Sequence, residues 1–231
     1  MGKPQSYRDR TVNSPNPIVR FSHRRRLRTS VSIIPEAPGW LLDYGCGDGQ
    51  MLADLSTSWQ DRSFGYEPYL DVLSDVSDRV FKAWQDIERL CAERGKPDVV
   101  TVFEVFEHFP VRLQESTLDR ISDVLSDDGQ LVISVPVEGG LPALVKNGLR
   151  RARYGGKGVY SGRNILRSAL WRPVPEAREG SDYLTHMGFY YTDFLTVLSR
   201  RFEITETVAS PFAGLPVSLN SQLFIRARRK P

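Results

Sequence analysis

Residues 104 to 108 read Glu-Val-Phe-Glu-His, which sets two carboxylates and an imidazole within five positions. An unperturbed imidazole titrates near ~6.5, so His108 is suited to taking a proton from a hydroxyl as that oxygen attacks an electrophile. The competing explanation is a helix start, with Glu107 near its positive end and His108 capping it or packed. A second constellation lies upstream. Asp43-Tyr44-Gly45-Cys46-Gly47-Asp48-Gly49 puts bare backbone where a ligand must approach closely. The turn lacks both the G-x-G-x-x-G fingerprint and the G-x-x-x-x-G-K-[ST] loop, so it suits a ligand without a pyrophosphate. Glu67, 22 residues past Gly45, is an acid that can accept both hydroxyls of a ribose, and Asp86 can accept from an adenine amino group. Alone, Glu67 would be a solvated turn residue and Asp86 a helix cap. Their order behind the glycine turn favours the ligand reading.

These residues need a scaffold that places them at one edge. Apolar and β-branched runs at Trp40 to Tyr44, Ser63 to Tyr66, Val80 to Trp84, Val99 to Phe103 and Leu131 to Val135 are spaced too widely for hairpins. Helical patterns fall between them, at Gln50 to Ser58, Tyr69 to Ser77 and Val111 to Leu125, the last with Leu113, Leu118, Ile121, Val124 and Leu125 on one face. Alternating strand and helix predicts an α/β fold with a parallel sheet covered on both sides. After a stretch rich in Gly and Arg, a helix over TDFLTVLSRRF is followed by FEITETV and QLFIRARR, which suit a closing antiparallel pair.

The segments LLDYGCGDGQML, FGYEP, WQDIE, DVVTVFEVFEHF and LVISVP resemble the successive motifs of the class I S-adenosylmethionine (SAM)-dependent methyltransferases, of the type 11/23 kind. The likeness extends over residues 39 to 137 and more weakly to the end. It implies a Rossmann-like sheet of seven strands with an antiparallel last strand and helices on both faces. It also implies that Asp43, Gly45, Cys46, Gly47 and Gly49 surround the methionine part of SAM, Glu67 its ribose, and Asp86 with Ile87 its adenine. Glu104 would lie against the cofactor's methyl group, and Cys46 needs no nucleophilic role.

The Glu104-x-x-Glu107-His108 segment further resembles the metal-binding segment of ubiquinone-pathway O-methyltransferases and of enzymes that methylate small-RNA 3′ ends. In those families a histidine ahead of the last helix completes the site, a place that His186 occupies here. The likeness implies a divalent metal such as Mg²⁺ held by Glu104, Glu107, His108 and His186, with oxygen as the methyl acceptor. His186 could instead contact substrate directly or order its loop.

Charge is unevenly distributed. The total of 31 Lys/Arg against 28 acids hides two basic blocks, residues 1 to 35 and 146 to 172, which together hold sixteen cations and the single acid Asp9. We expect residues 1 to 35 to be partly disordered or a lid, residues 36 to 231 to form the catalytic domain, and about 139 to 180 to be a basic substrate-binding insert. The insert could hold phosphate or carboxylate groups, lie on an anionic membrane surface, follow an RNA backbone, or simply be solvated. A small molecule, sugar or lipid-linked acceptor is preferred, with RNA 2′-O-methylation and a non-catalytic SAM-binding role as alternatives. Two cysteines exclude a disulfide framework and no apolar run reaches a membrane span of roughly 18 to 20 residues, so a reducing cytoplasm fits.

Overall fold

The central strands form where β-branched and apolar residues are buried on both faces, and most helices where only one stripe is. The computed structural model describes residues 17 to 155, 158 to 178 and 185 to 230. It begins with helix α1 (Pro17–Ile33), strand β1 (Leu41–Tyr44), helices α2 (Gln50–Asp54) and α3 (Thr57–Gln60), and strands β2 (Ser63–Tyr66) and β3 (Val80–Phe81). Helix α4 (Trp84–Arg94), strand β4 (Val99–Phe103), helix α5 (Val111–Val124) and strand β5 (Gln130–Pro136) follow. The chain closes with helices α6 (Gly140–Tyr154), α7 (Gly162–Ala169) and α8 (Tyr191–Leu198) and strands β6 (Phe202–Ser210) and β7 (Gln222–Arg229).

The seven strands form one sheet in the order β3-β2-β1-β4-β5-β7-β6. β1, β2, β3, β4 and β5 pair in parallel, while β7 runs antiparallel to both β5 and β6. The expected Rossmann-like α/β sheet with a reversed last strand is therefore present. Strand alternation feeds two cores. Leu42, Val100 and Ile133 pack with Ile87 of α4, Leu118 and Ile121 of α5, and Phe194 of α8. Leu41, Val99, Val132 and Phe224 meet Ile33 of α1, Met51 and Leu52 of α2 and Trp59 of α3 on the opposite face. Each such aliphatic side chain contributes on the order of 1.5 to 3 kcal/mol by leaving water.

Several expected boundaries shift for local reasons. The helix expected over Gln50 to Ser58 breaks at Leu55, which is extended, and restarts as α3. In place of a helix over Tyr69 to Ser77 there is only a 3-10 turn, Ser74–Arg79, because Glu67 binds the backbone N–H groups of Tyr69 and Leu70 and holds that segment open. The strand expected to reach Trp84 stops at Phe81, and Trp84 starts α4. On α5, Leu113 is exposed and Gln114 buried, the reverse of the expected pattern, because Gln114 supplies a donor to the buried Phe106 carbonyl and to the partly buried one of Phe109.

Both basic stretches contain helices among the described residues. Residues 17 to 33 are helical, while residues 1 to 16 lie outside the described set. The insert holds α6 and α7, with a small core of its own in Ile165, Val174, Ala177 and Met187. Among the described residues no helix is long and apolar enough to cross a membrane.

Candidate active site

The glycine turn follows β1 at the carboxyl edge of the sheet, where crossover connections leave a crevice in folds of this type. Gly45, Gly47 and Gly49 all have left-handed backbone, at φ 72°, 60° and 85°. Side chains strain such conformations by about 1 to 2 kcal/mol, which is why glycine stands there. The turn is tied to β2, since the N–H groups of Gly45 and Cys46 both donate to the Tyr66 carbonyl. A Cβ on Gly45 would lie 2.6 Å from Cγ2 of Val105, whereas one on Gly47 would meet nothing within 4 Å. Gly47 therefore borders open space, as a cradle for a ligand should.

Glu67 is buried rather than solvated, with Oε2 accepting from Gly47 N–H at 3.1 Å and Oε1 from Tyr69 and Leu70 N–H at 2.9 and 3.1 Å. It stands beside the open space at Gly47 and clamps the turn to the segment after β2. The buried carboxylate, the left-handed glycines and the unfilled volume fit an adenosyl ligand with a ribose. Asp86 lies in the first turn of α4, paired with Arg89 at 3.1 Å, while Ile87 is fully buried in the core. Burial pushes the Cys46 thiol up, with Asp43 and Glu67 reinforcing the shift, so it stays protonated and has no nucleophilic character.

Asp43 ends up beneath the turn, accepting from the Thr101 hydroxyl at 2.7 Å. Burial raises its carboxyl to about 7 despite that bond. A carboxyl whose folded value exceeds its unfolded one stabilises the fold fully only below the unfolded value, and that stabilisation is lost as pH climbs from about 4 to about 7. The loss across that window is on the order of 4 kcal/mol, from ~1.4 kcal/mol per unit. Asp43→Asn keeps an acceptor for Thr101 and removes the titration. Urea unfolding at a series of pH values should show the wild-type free energy declining toward neutrality relative to the variant. Parallel pH curves for the two proteins would show that Asp43 is not the group responsible.

Glu107 and His108 sit on a one-turn 3-10 helix after β4, Phe106–His108. Gln114 holds this turn by donating to the carbonyls of Phe106 and Phe109 at 3.1 and 3.0 Å. Arg178 donates to the carbonyl of Glu107 at 2.6 Å and to that of His186 at 3.2 Å, stitching the insert's end to the turn. The result gathers residues 78 positions apart: ligand atoms of Glu107, His108 and His186 lie within 4.8 Å of one another. The His108 and His186 ring centroids are 5.0 Å apart.

Glu107 is completely buried, and neither of its oxygens has a hydrogen-bond donor. Burial pushes its pKa well up, and the carboxylates of Glu104 and Glu138 add to the shift. Burial, helped by the Lys146 ammonium, holds His186 well below the usual imidazole range, so the ring is neutral and keeps a nitrogen lone pair. An unsolvated carboxylate facing imidazoles is costly alone, and a divalent cation would relieve the cost. The donor set thus fits a metal.

Glu104, expected in both the cofactor and the metal sets, is not among the three residues whose ligand atoms come together. Its backbone is left-handed at φ 59°, and its carboxylate pairs with Arg26 of α1 at 2.9 Å and accepts from the Gln222 amide. The acid that joins His186 instead is Glu138, two residues past β5, whose Oε1 stands 3.6 Å from His186 Nδ1. Glu138 is completely buried and meets Lys146 and, at 3.9 Å, Arg150 of α6. Sequence reasoning missed it; the available signal was an acid just beyond the carboxyl end of a central strand.

The family model for a methyltransferase domain matches residues 20 to 196. The chain belongs to the class I SAM-dependent methyltransferase family, and SAM is its cofactor. No curated protein matches the sequence. Solved structures share the fold at low identity. A SAM-dependent methyltransferase from Anabaena variabilis aligns with TM-score 0.57 and 13% identity over 90% of this chain and 86% of that one. The magnesium protoporphyrin IX methyltransferase of Synechocystis, solved with bound S-adenosylhomocysteine, gives 0.50 and 15% over 94% and 89%. A Pyrococcus horikoshii protein gives 0.53 and 13% over 97% and 96%.

Proposed function

We propose that this methyltransferase transfers the methyl group to a hydroxyl oxygen of a small molecule, sugar or lipid-linked intermediate, and that Glu107, His108 and His186 handle the acceptor as ligands of a divalent cation such as Mg²⁺. The observation that carries the reading is the buried Glu107 carboxylate, lacking any donor, within 4.8 Å of two imidazole ligand atoms. SAM supplies an electrophilic methyl group on sulfur, and the glycine turn with Glu67, Asp86 and Ile87 would hold it. A bound cation would lower the pKa of a coordinated hydroxyl and fix its orientation. Glu138 would fix His186 through Nδ1, leaving Nε2 toward Glu107, as outer carboxylates do for histidine ligands. Lys146 and Arg150 reach Glu138 beside His186 and would favour an acceptor that carries negative charge.

A metal-free reading keeps the same oxygen chemistry, with His108 accepting the hydroxyl proton as the new C–O bond forms and the C–S bond breaks. The two separate on chelation. Hydroxylated acceptors, with and without phosphate, should be screened for S-adenosylhomocysteine release by metal-free protein, before and after adding back Mg²⁺ or Mn²⁺. Turnover that returns only with the metal supports the first reading. Turnover that never depended on it leaves His108 as the base, and methylation confined to amines would overturn oxygen as the acceptor.

A further inference from the structure

Helix α6 is amphipathic in the inverted sense. Its large apolar side chains Leu141, Leu144, Val145 and Leu149, at helical spacing, are exposed, while the small Ala143 is buried. Its inward face carries Asn147, completely buried, and the Lys146 and Arg150 side chains that reach Glu138. Helix α7 packs on α6 and adds to this face: Leu166 and Leu170, just past its end, are exposed, while Asn164, Ile165 and Ser168 are buried. On its other side α6 packs against the 3-10 turn Val217–Leu219, part of the β6–β7 connection, whose Phe212, Leu215 and Leu219 are exposed as well. Apolar surface on three adjoining segments exceeds the scattered leucines that an ordinary water-facing surface shows.

We propose that this face docks on an anionic phospholipid bilayer. Between Gly139 and Pro175 the chain has no acid, while residues 146 to 172 hold eight Lys/Arg, of which Arg151, Arg163 and Arg172 are exposed beside the leucines. Apolar side chains rimmed by cations match the boundary between acyl chains and negatively charged headgroups. The charge disfavours the other occupants. A second copy would bring the same cations against themselves in a two-fold contact, and a nucleic acid has no use for a leucine face. Docking by α6 and α7 would place the membrane against the elements whose inner sides reach Glu138, the neighbour of His186, so that a lipid-linked acceptor need not leave the bilayer.

The inference does not depend on oxygen as acceptor or on a metal, and its test requires neither. The full chain should float with vesicles of phosphatidylglycerol mixed into phosphatidylcholine, and far less with phosphatidylcholine alone. Raised salt should weaken the anionic binding. Leu144→Asp together with Leu149→Asp should lower vesicle affinity by roughly tenfold or more, because charged groups leave an apolar boundary. These side chains are exposed, so SAM affinity by calorimetry should match wild type and serves as the folding control. Arg163→Glu, on α7, is a second variant that should weaken binding to anionic vesicles without touching the apolar face. Wild-type protein that ignores anionic vesicles would overturn the proposal. So would variants that float as well as wild type, or sedimentation showing a wild-type dimer that the double variant dissolves.

Discussion

Glu107→Gln should lower kcat/KM for methyl transfer by about 10²- to 10⁴-fold, the range expected when a positioned acid–base or ligand group is lost. The carboxyl is buried among groups that raise its pKa and neither oxygen has a donor, so the amide replaces a group whose charged form is disfavoured there and breaks no stabilising contact. Thermal unfolding of the variant should therefore match or exceed that of wild type. SAM affinity should change little, because the cofactor turn and Glu67 belong to different strand ends. His186→Ala should show the same split between turnover and cofactor binding. Glu138→Gln is a milder case, since Glu138 would act through His186. If the cluster holds a cation, Mn²⁺ affinity measured by calorimetry should drop about 10- to 100-fold in that variant. A Glu107→Gln enzyme with undiminished turnover would remove the cluster from catalysis altogether.

How much of this was legible in the sequence depends on how local each signal is. The strand ends could be read because β1, β4 and β5 are buried on both faces and appear as continuous apolar runs. The glycine turn could be read because three left-handed positions leave glycine as the residue without strain. Glu107 and His108 stood out by residue type and spacing and His186 through a likeness between segments, and the structure brings the three together. What brings them together was not visible. Arg178 and Gln114 work by donating to backbone carbonyls, and any residue can present a carbonyl. Glu104 stays outside that cluster, and its short pattern with Glu107 says nothing about Arg26, 78 positions upstream, or Gln222, 118 positions downstream, which bind its carboxylate. Helix α6 was hidden by its cations. Arginine-rich composition suggests a solvated loop, yet here Lys146 and Arg150 turn inward to a buried acid and the leucines turn outward.

The two central glycines of the turn should fail in different ways, and the contrast tests whether the open space at Gly47 belongs to the cofactor. Gly45→Ala combines a left-handed backbone with a Cβ 2.6 Å from Val105 Cγ2, the rigid end of a β-branched side chain. Left-handed strain of about 1 to 2 kcal/mol and overpacking of about 1 to 3 kcal/mol predict a loss of roughly 2 to 5 kcal/mol in folding stability. Val105 lies between Glu104 and Phe106, so the same push disturbs the segment that presents Glu107, and turnover should fall along with SAM binding. Gly47→Ala meets no protein atom and should cost only the backbone strain, about 1 to 2 kcal/mol. Its Cβ instead enters the volume beside Glu67, so SAM affinity should weaken by roughly tenfold or more, equivalent to about 1.4 kcal/mol per decade. Urea unfolding separates the two stabilities, and calorimetry with SAM and S-adenosylhomocysteine measures the affinities. A Gly47→Ala protein that binds both ligands like wild type would move the methionine end of the cofactor away from this turn. The left-handed backbone at φ 60° would then be the whole reason for glycine at position 47.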